Sequence, residues 1–585
     1  MSEKIGVIDG VIGASTQIYQ IAVHPDEMVQ LDDIVTCTSR WGNDKEVTHF
    51  GIVTEILSST DGAALASDNF RAAEGKLPTE RSTVAKVSLL RSWPEYWVPP
   101  QPGAAVYRLT TTNPNYAKAL FLDQMGSPLP IGMSQAGDTV YLDMDFVTGK
   151  KAAHISISGI SGAATKTTYA MFLLYMLFET PEGRRILGPQ AAQARALVFN
   201  SKGEDLLHLD QPNRNLTHHP EALAQWQQLG VSQPGPFASV QLYAPAMPGT
   251  SITADVKSRP ARDVVPFGWT PEDFIRQGLL QFCFTDPNDR DTQVSFIEQR
   301  VRTQLLRHAY PCIGKPGAVV LADPPPHCTS DWNRLVGEKR TPLHAGDGDL
   351  VENFSNLVEF LSNLIDTPNG APPAWSGSVS SGTQMAFLRR LYALVPRLGH
   401  LMRTGLTSVE LNRGVNVVDI HNLHDAAQRF VVGAILARIY REKEGFGREP
   451  LRFIVLDELN KFAPLEGQSP IKEAIKDIAE RGRSQGVILL GAQQSAGNVE
   501  KAVIDNASVK IVGRISAGSV TEYPFLTPEL RTRATRFMPG TMILSQTPIP
   551  VSLPVRFPFP GFATNPEEGA TVMTSTEHSK LLERL

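Results

Sequence analysis

At 585 residues, with 42% hydrophobic and 20% charged side chains, the chain has the makeup of an ordinary globular protein long enough for two or three domains. A net charge of -5 excludes a globally basic nucleic-acid coat, so any contact with DNA must come from a local patch, as in a channel lining. Cys37, Cys283, Cys312 and Cys328 form no C-x-x-C pair, MSEKIGVIDG is not a basic-then-apolar leader, and no apolar run is of bilayer length; the expectation is a cytoplasmic protein with reduced thiols, no structural metal and no membrane partner.

Residues 1–110 carry short β-type runs, Gln17 to Val23, Asp33 to Thr38, Phe50 to Leu57 and Val84 to Leu90, punctuated by Gly and Asp, and predict a small N-terminal β-barrel. The stiff Pro-rich stretch Trp97 to Gly103 suits either a connection from that barrel to the next unit or an ordinary surface loop.

Residues 111–205 contain HISISGISGAATKTTYAMFLLYMLF, His154 to Phe178, which reads as strand, Gly-containing loop and buried helix. Such a loop offers backbone N–H groups to phosphates, Lys166 an ammonium to the β and γ oxygens, and Thr167 a hydroxyl to Mg2+. Gly159, Ser161, Gly162, Ala163, Ala164, Thr165, Lys166, Thr167 and Thr168 are therefore the candidate residues for binding a nucleotide such as ATP. The stretch departs from G-x-x-x-x-G-K-[ST]: Ile160 and Thr165 stand at the two glycine positions, and Gly159 to Lys166 is one residue longer than the pattern allows. Ala196 to Asn200 is a further apolar strand, and the turn after it brings Glu204 and Asp205 to the same edge, Glu204 either as a supporting group or, like Asp205, as a plain solvated-turn residue.

Residues 206–410 read as a loop-rich and helical insertion, with loops around the short strand Val240 to Tyr243 and helical periodicity over 271–310 and 350–410. Asp366 to Thr383 is a surface loop by composition. Arg389, Arg390, Arg397 and Arg403 fall on or near one helix and suit either a phosphate backbone or a solvated face.

Residues 411–560 resume the α/β pattern with the strand Asn416 to Ile420 and the helix Ala426 to Tyr440. The apolar run Phe453 to Leu456 ends in Asp457 and Glu458, placing two acids at the carboxyl end of a buried strand, where open α/β sheets bind ligands. Ser469 caps a helix beginning at Pro470, with Ile471, Ala474, Ile475, Ile478 and Ala479 on one apolar face. Arg481 and Arg483 end that helix, Gly486 breaks it, and the next buried strand, Val487 to Ala492, leads into Gln493 and Gln494. Nucleoside triphosphate hydrolysis uses this layout: Asp457 to hold Mg2+ through water, Glu458 to orient or deprotonate the attacking water, and a glutamine at the end of the next strand to sense the γ-phosphate. Lys510 to Arg514 and Gly540 to Val555 add further β-structure, and residues 561–585 read as a polar C-terminal tail ordered only against a partner.

FIVLDELNKFAP, Phe453 to Pro464, and AERGRSQGVILLGAQQS, Ala479 to Ser495, together with the N-terminal barrel and the phosphate loop, resemble the HerA branch of the HerA/FtsK motor ATPases over most of the chain. The resemblance implies a RecA-like parallel-sheet P-loop ATPase core, a HAS-barrel-like N-terminal domain, a helical insertion, and a hexameric ring (a homohexamer) that moves along double-stranded DNA. It implies Lys166 and Thr167 as the phosphate and Mg2+ residues, Asp457 as the Mg2+ acid, Glu458 as the base and Gln493 as the sensor. Arg483, with Arg481 as a second candidate, would reach a neighbouring subunit's ATP. GISGAATKT looks like the variant loop of a HerA subgroup found beside effector enzymes in bacterial anti-phage systems, which implies an effector partner, a nuclease or a sirtuin-like NADase. Two functions stay open: a DNA-stimulated translocase, favoured by Asp457, Glu458 and Arg483, and a nucleotide-binding ring scaffold that activates an effector with little hydrolysis, favoured by the altered loop. A metabolic kinase lacks a recognisable acceptor site.

Overall fold

In a computed structural model, residues 3–42, 45–61, 65–77, 80–160, 166–249, 251–285, 294–323, 340–367 and 371–569 are described. Strands β1 (Lys4–Ile8), β2 (Ile18–Val23), β3 (Ile34–Trp41), β4 (Lys45–Asp61), β5 (Glu80–Trp93) and β6 (Ala105–Arg108) close into a barrel in the order β1-β2-β5-β4-β3-β6. Tyr19, Ile21, Val35, Cys37, Val53, Val87 and Val106 fill its interior. β6 closes the barrel by pairing with both β1 and β3. Trp97 to Gly103 therefore lies inside the barrel domain, before its last strand, and does not lead out of it. Without β6 the edges of β1 and β3 would be unpaired, a cost that local composition does not reveal. Arg533 ties the barrel to the core, its two terminal nitrogens donating to both carboxylate oxygens of Asp32 at 2.8 and 2.5 Å.

The core is a twelve-stranded sheet. Its strands are β7 (Pro128–Met133), β8 (Thr139–Asp143), β9 (Ile155–Ser158), β10 (Arg195–Asn200), β11 (Val240–Pro245) and β12 (Val265–Phe267), then, past a small antiparallel sheet of β13 (Ala309–Pro311), β14 (Val319–Leu321) and β15 (Asp349–Val351), the strands β16 (Val415–Asp419), β17 (Arg452–Leu456), β18 (Val487–Gln493), β19 (Val509–Val512), β20 (Thr541–Gln546) and β21 (Leu553–Arg556). The order is β12-β11-β16-β10-β17-β18-β9-β19-β20-β21-β7-β8, parallel from β12 to β19 and antiparallel beyond. This is an α/β fold with a RecA-like parallel core, a closed N-terminal barrel and inserted helices. β11 and β12, inside residues 206–410, extend the main sheet beside β16; their short apolar runs bury on both faces there, so the first half of that stretch is sheet as well as loop.

Alternate residues of the parallel strands feed two cores. Ala196, Val198, Phe453, Val455, Ile488 and Leu490 face helix α1 (Lys166–Phe178) on one side. Leu197, Phe199, Ile454, Leu456, Val487 and Leu489 face the other, covered by helices α2 (Val294–His308), α3 (Phe354–Ile365), α4 (Ser381–Leu398), α5 (Asp425–Lys443) and α6 (Pro470–Gln485). Burial on both faces is why these strands read as continuous apolar runs. Residues 561–569 are not a free tail. Phe562 is fully buried, its ring 5.5 Å from Tyr175 and 5.1 Å from Phe237, and the backbone of 561–563 bonds to Gln211 and Asn213. Burial of one large ring outweighs the polar composition around it; residues 570–585 lie outside the described residues. Among the described residues, no helix is long and apolar enough to cross a membrane.

Candidate nucleotide site

The carboxyl edge of the parallel strands brings the main candidates together. In order across the edge lie the ends of β16 (Asp419), β10 (Asn200), β17 (Asp457 and Glu458 just after it), β18 (Gln493), β9 (Gly159 just after it) and β19. β9 enters the phosphate loop held on both sides: the Gly159 N–H donates to the Gln493 carbonyl at 3.1 Å, and that of Ile160 to the Arg514 carbonyl at 2.7 Å. Ser161, Gly162, Ala163, Ala164 and Thr165 lie outside the described residues. α1 opens at Lys166, and Thr167 and Thr168 fall in its first turn.

Lys166 is buried, and its ammonium donates to the Gly159 carbonyl at 2.7 Å, closing the loop on itself. Burial pulls its pKa down to about 8, Lys202 adds to that, and Asp457 and Glu458 oppose it. The Thr167 hydroxyl donates to Oδ2 of Asp457 at 3.0 Å, joining the loop helix to the acidic strand. Thr168 is buried.

Asp457 is buried, and its Oδ1 accepts the backbone N–H of Glu458 at 2.9 Å. Glu458 turns the chain through the left-handed region, φ 55° and ψ 48°, which costs a non-glycine residue roughly 1 kcal/mol and clusters at functional sites. Its carboxylate is about one quarter exposed, so a water can reach it.

Lys202, two residues beyond β10, was not singled out in the sequence. Its ammonium lies 3.2 Å from Oδ2 of Asp457 and 3.3 Å from Oε1 of Glu458. Burial alone would lower its pKa, but the two carboxylates outweigh it and the pKa is raised. The available signal was a lysine in the turn after an apolar strand; its pairing with the acids depends on β10 lying beside β17. Glu204 in the same turn does not face the acids. It is buried and accepts the backbone N–H groups of Lys257 at 2.7 Å and Ser258 at 2.6 Å, so it anchors a loop.

A second polar group at this edge was also not foreseen. Asn200 donates to Oδ1 of Asp419 at 2.8 Å, and His421 Nδ1 lies 2.8 Å from Oδ2 of the same carboxylate. Burial raises the Asp419 pKa, and the bond to Asp419 raises that of His421.

Gln493 is fully buried. Its amide nitrogen donates to the hydroxyls of Ser156 at 2.7 Å and Ser158 at 2.9 Å, both on β9, and its Oε1 has no hydrogen-bond partner among the described residues. Arg481 and Arg483 are exposed and stand at the opposite, amino edge of the sheet, where α6 ends. Arg483 donates to the carbonyls of Gly149 at 3.4 Å and Lys150 at 3.2 Å. The acids follow the carboxyl end of β17, so both arginines stand at the other edge of the sheet from this subunit's own acids. A groove of about 690 Å3 between α2, α5 and α6 contains none of these residues.

The residues present fit a hard divalent cation. One carboxylate and one hydroxyl sit within hydrogen-bond distance, a second carboxylate adjoins them, and the pair already attracts a cationic side chain. Mg2+ is held in this manner, by one or two carboxylates with phosphate oxygens completing the set.

Comparison with protein-family models and with curated proteins finds no match. Among solved structures, the chain is similar to VirB4 of Thermoanaerobacter pseudethanolicus, with 14% identity and a TM-score of 0.41 over 74% of this chain and 96% of that one. It is similar to the plasmid coupling protein TrwB in complex with ADP and Mg2+, with 11% identity and a TM-score of 0.45 over 78% and 94%. A shorter likeness is to the genome packaging NTPase B204 from Sulfolobus turreted icosahedral virus 2, with 11% identity and a TM-score of 0.21 over 26% and 70%. These scores are low, and the site is assigned from its own geometry.

Proposed function

We propose that this chain is an ATP-hydrolysing subunit of a ring-shaped motor that moves double-stranded DNA. The observation that carries the reading is the convergence of Lys166, Thr167, Asp457 and Glu458 from two distant segments at one sheet edge, with Thr167 bonded to Asp457. Lys166 would leave the Gly159 carbonyl for the β and γ phosphate oxygens. Thr167 and Asp457 would hold Mg2+, whose role when bound is to neutralise charge on the phosphates. Glu458 orients and deprotonates the attacking water, and the bond from Gln493 to Ser158 links the strand before the loop to β18. Arg483, with Arg481 beside it, would serve a neighbouring subunit, since neither reaches the acids of its own chain.

The homohexamer, the DNA substrate, the effector partner (a nuclease or a sirtuin-like NADase) and the anti-phage setting belong to the same proposal. They rest on the resemblance of Phe453 to Pro464, Ala479 to Ser495 and the variant loop. The scaffold reading has its own support in the phosphate loop, where Ile160 and Thr165 stand at the two glycine positions of the usual pattern, and in the net charge of -5. The test is steady-state ATPase activity with and without linear double-stranded DNA, alongside the mass in solution, with Lys166→Ala as the binding-deficient control. DNA stimulation of a hexamer supports the motor. A hexamer that binds ATP and barely turns over, with or without DNA, overturns it in favour of the scaffold.

A further inference from the structure

In the structure the acids of the site are already neutralised from within. Lys166 and Lys202 bring two positive charges to the neighbourhood of Asp457 and Glu458, and each lysine is tied to a protein group. The acceptor positions of Asp457 are shared out: Oδ1 takes the Glu458 N–H, while Oδ2 takes both the Thr167 hydroxyl and the Lys202 ammonium. The Thr167 oxygen keeps its lone pairs, but the carboxylate oxygen it points to is already engaged by a cation.

We propose that Lys202 is a resident counter-ion of this site, which Mg2+ must displace from Asp457 before nucleotide is held productively. The inference rests on the nucleotide-site reading above. Its basis is charge competition at one atom: a divalent cation and an ammonium on the same Oδ2 would set three positive charges against two carboxylates at van der Waals range, in a place where Asp457 is buried and water screens little. Lys202 is long and more than one third exposed, so it can swing from Asp457 while keeping its contact with Glu458 or moving into solvent. Lys202 is thus a positioning residue: without bound Mg2+ it holds Asp457 and Glu458 together, and it sets how much Mg2+ the site requires.

Binding of a fluorescent ADP analogue is titrated against Mg2+ in wild-type protein, Lys202→Met and Lys202→Arg, with thermal unfolding followed in the same buffers without nucleotide. In Lys202→Met the Mg2+ concentration for half-maximal nucleotide binding should fall roughly twofold to fivefold, the scale for loss of a partly exposed ion pair. Lys202→Arg, which keeps the charge, should stay near wild type. Without nucleotide, Mg2+ should raise the unfolding midpoint of Lys202→Met more than that of wild type, because only the variant leaves the acids without a counter-ion. An unchanged or higher Mg2+ requirement in a folded Lys202→Met would overturn the proposal. Failure of wild-type protein to bind the analogue at any Mg2+ concentration would instead overturn the nucleotide-site reading, so the two failures are separable.

Discussion

The Thr167 hydroxyl donates to Oδ2 of Asp457 across 3.0 Å although 290 residues separate them. Thr167 lies in the first turn of the helix after the phosphate loop and Asp457 follows the acidic strand, so this bond joins the two segments that the proposed nucleotide site needs together. Thr167→Val keeps the shape and removes the hydroxyl, and should weaken Mg2+-dependent nucleotide binding about tenfold while leaving Mg2+-free binding little changed. Glu458→Gln should bind nucleotide as wild type does and lose most turnover, about a hundredfold or more, because an amide cannot take the proton of the attacking water. Fluorescence titration and a phosphate-release assay check the two. Wild-type turnover in Glu458→Gln would remove the base from this assignment.

Arg483 stands at the amino edge of the sheet, where α6 ends, and Asp457 at the carboxyl edge. Arg483→Ala alone should therefore depress ATPase activity only through the ring. In mixed assemblies with Lys166→Ala, activity should partly return, since one subunit supplies the arginine and the other the intact phosphate site. Equal inactivity of the mixed and unmixed rings, with assembly confirmed by mass, counts against a role in trans.

Glu298 on α2 is a buried acid beside the groove between α2, α5 and α6, and burial pushes its pKa up to about 7 against the pull of Arg302, 3.2 Å away. A carboxyl raised in the folded state binds its proton more tightly there. Its contribution to stability is fully present below the unfolded value near 4.5 and is lost as the pH rises through about 7. Glu298→Gln should consequently raise the unfolding midpoint at pH 8, by an effect on the order of 1 kcal/mol after the lost Arg302 pair is discounted, and leave it unchanged at pH 5. Calorimetry at the two pH values reads the difference directly.

Gly486 ends α6 in the left-handed region, φ +69°, and a Cβ there would lie 1.7 Å from the Arg448 carbonyl oxygen. Gly486→Ala combines an unfavourable φ with a backbone clash and should cost well over about 1 kcal/mol, seen as a lower unfolding midpoint. Gly447→Ala, where φ is +71° and a Cβ meets open space, isolates the φ contribution and should cost less.

Much of the core was legible because its signals are local. The Ser469 cap is realised in the bond from the Lys472 N–H to the Ser469 hydroxyl at 3.2 Å, and Ile471, Ile475, Ile478 and Ala479 are buried on α6 as their spacing implied, while Ala474 is only half-buried. The acidic strand, the strand that carries Gln493 and the helix after the phosphate loop likewise announce themselves within a dozen residues. What was missed depends on neighbours far along the chain. Trp97 to Gly103 reads equally as a linker or a surface loop until β6 pairs with β1 and β3 and leaves it a loop of the barrel, and residues 561–569 read as a tail until Phe562 meets Tyr175 and Phe237.

The sequence by itself determined the central strands β9, β10, β16, β17 and β18, the helices α1, α5 and α6, and which residue types stand at those strand ends, because backbone propensity, capping and apolar periodicity act over a few residues. The tertiary structure alone decided which strand ends are neighbours. Only the order β10-β17-β18-β9 sets Lys202 on Asp457 and Glu458, sets Gln493 against Ser156 and Ser158, and leaves Arg483 at the opposite edge. Strand order follows from how two hydrophobic cores close around one sheet, a global packing problem, and short-range electrostatics then act only between the groups that packing has brought within a few ångströms.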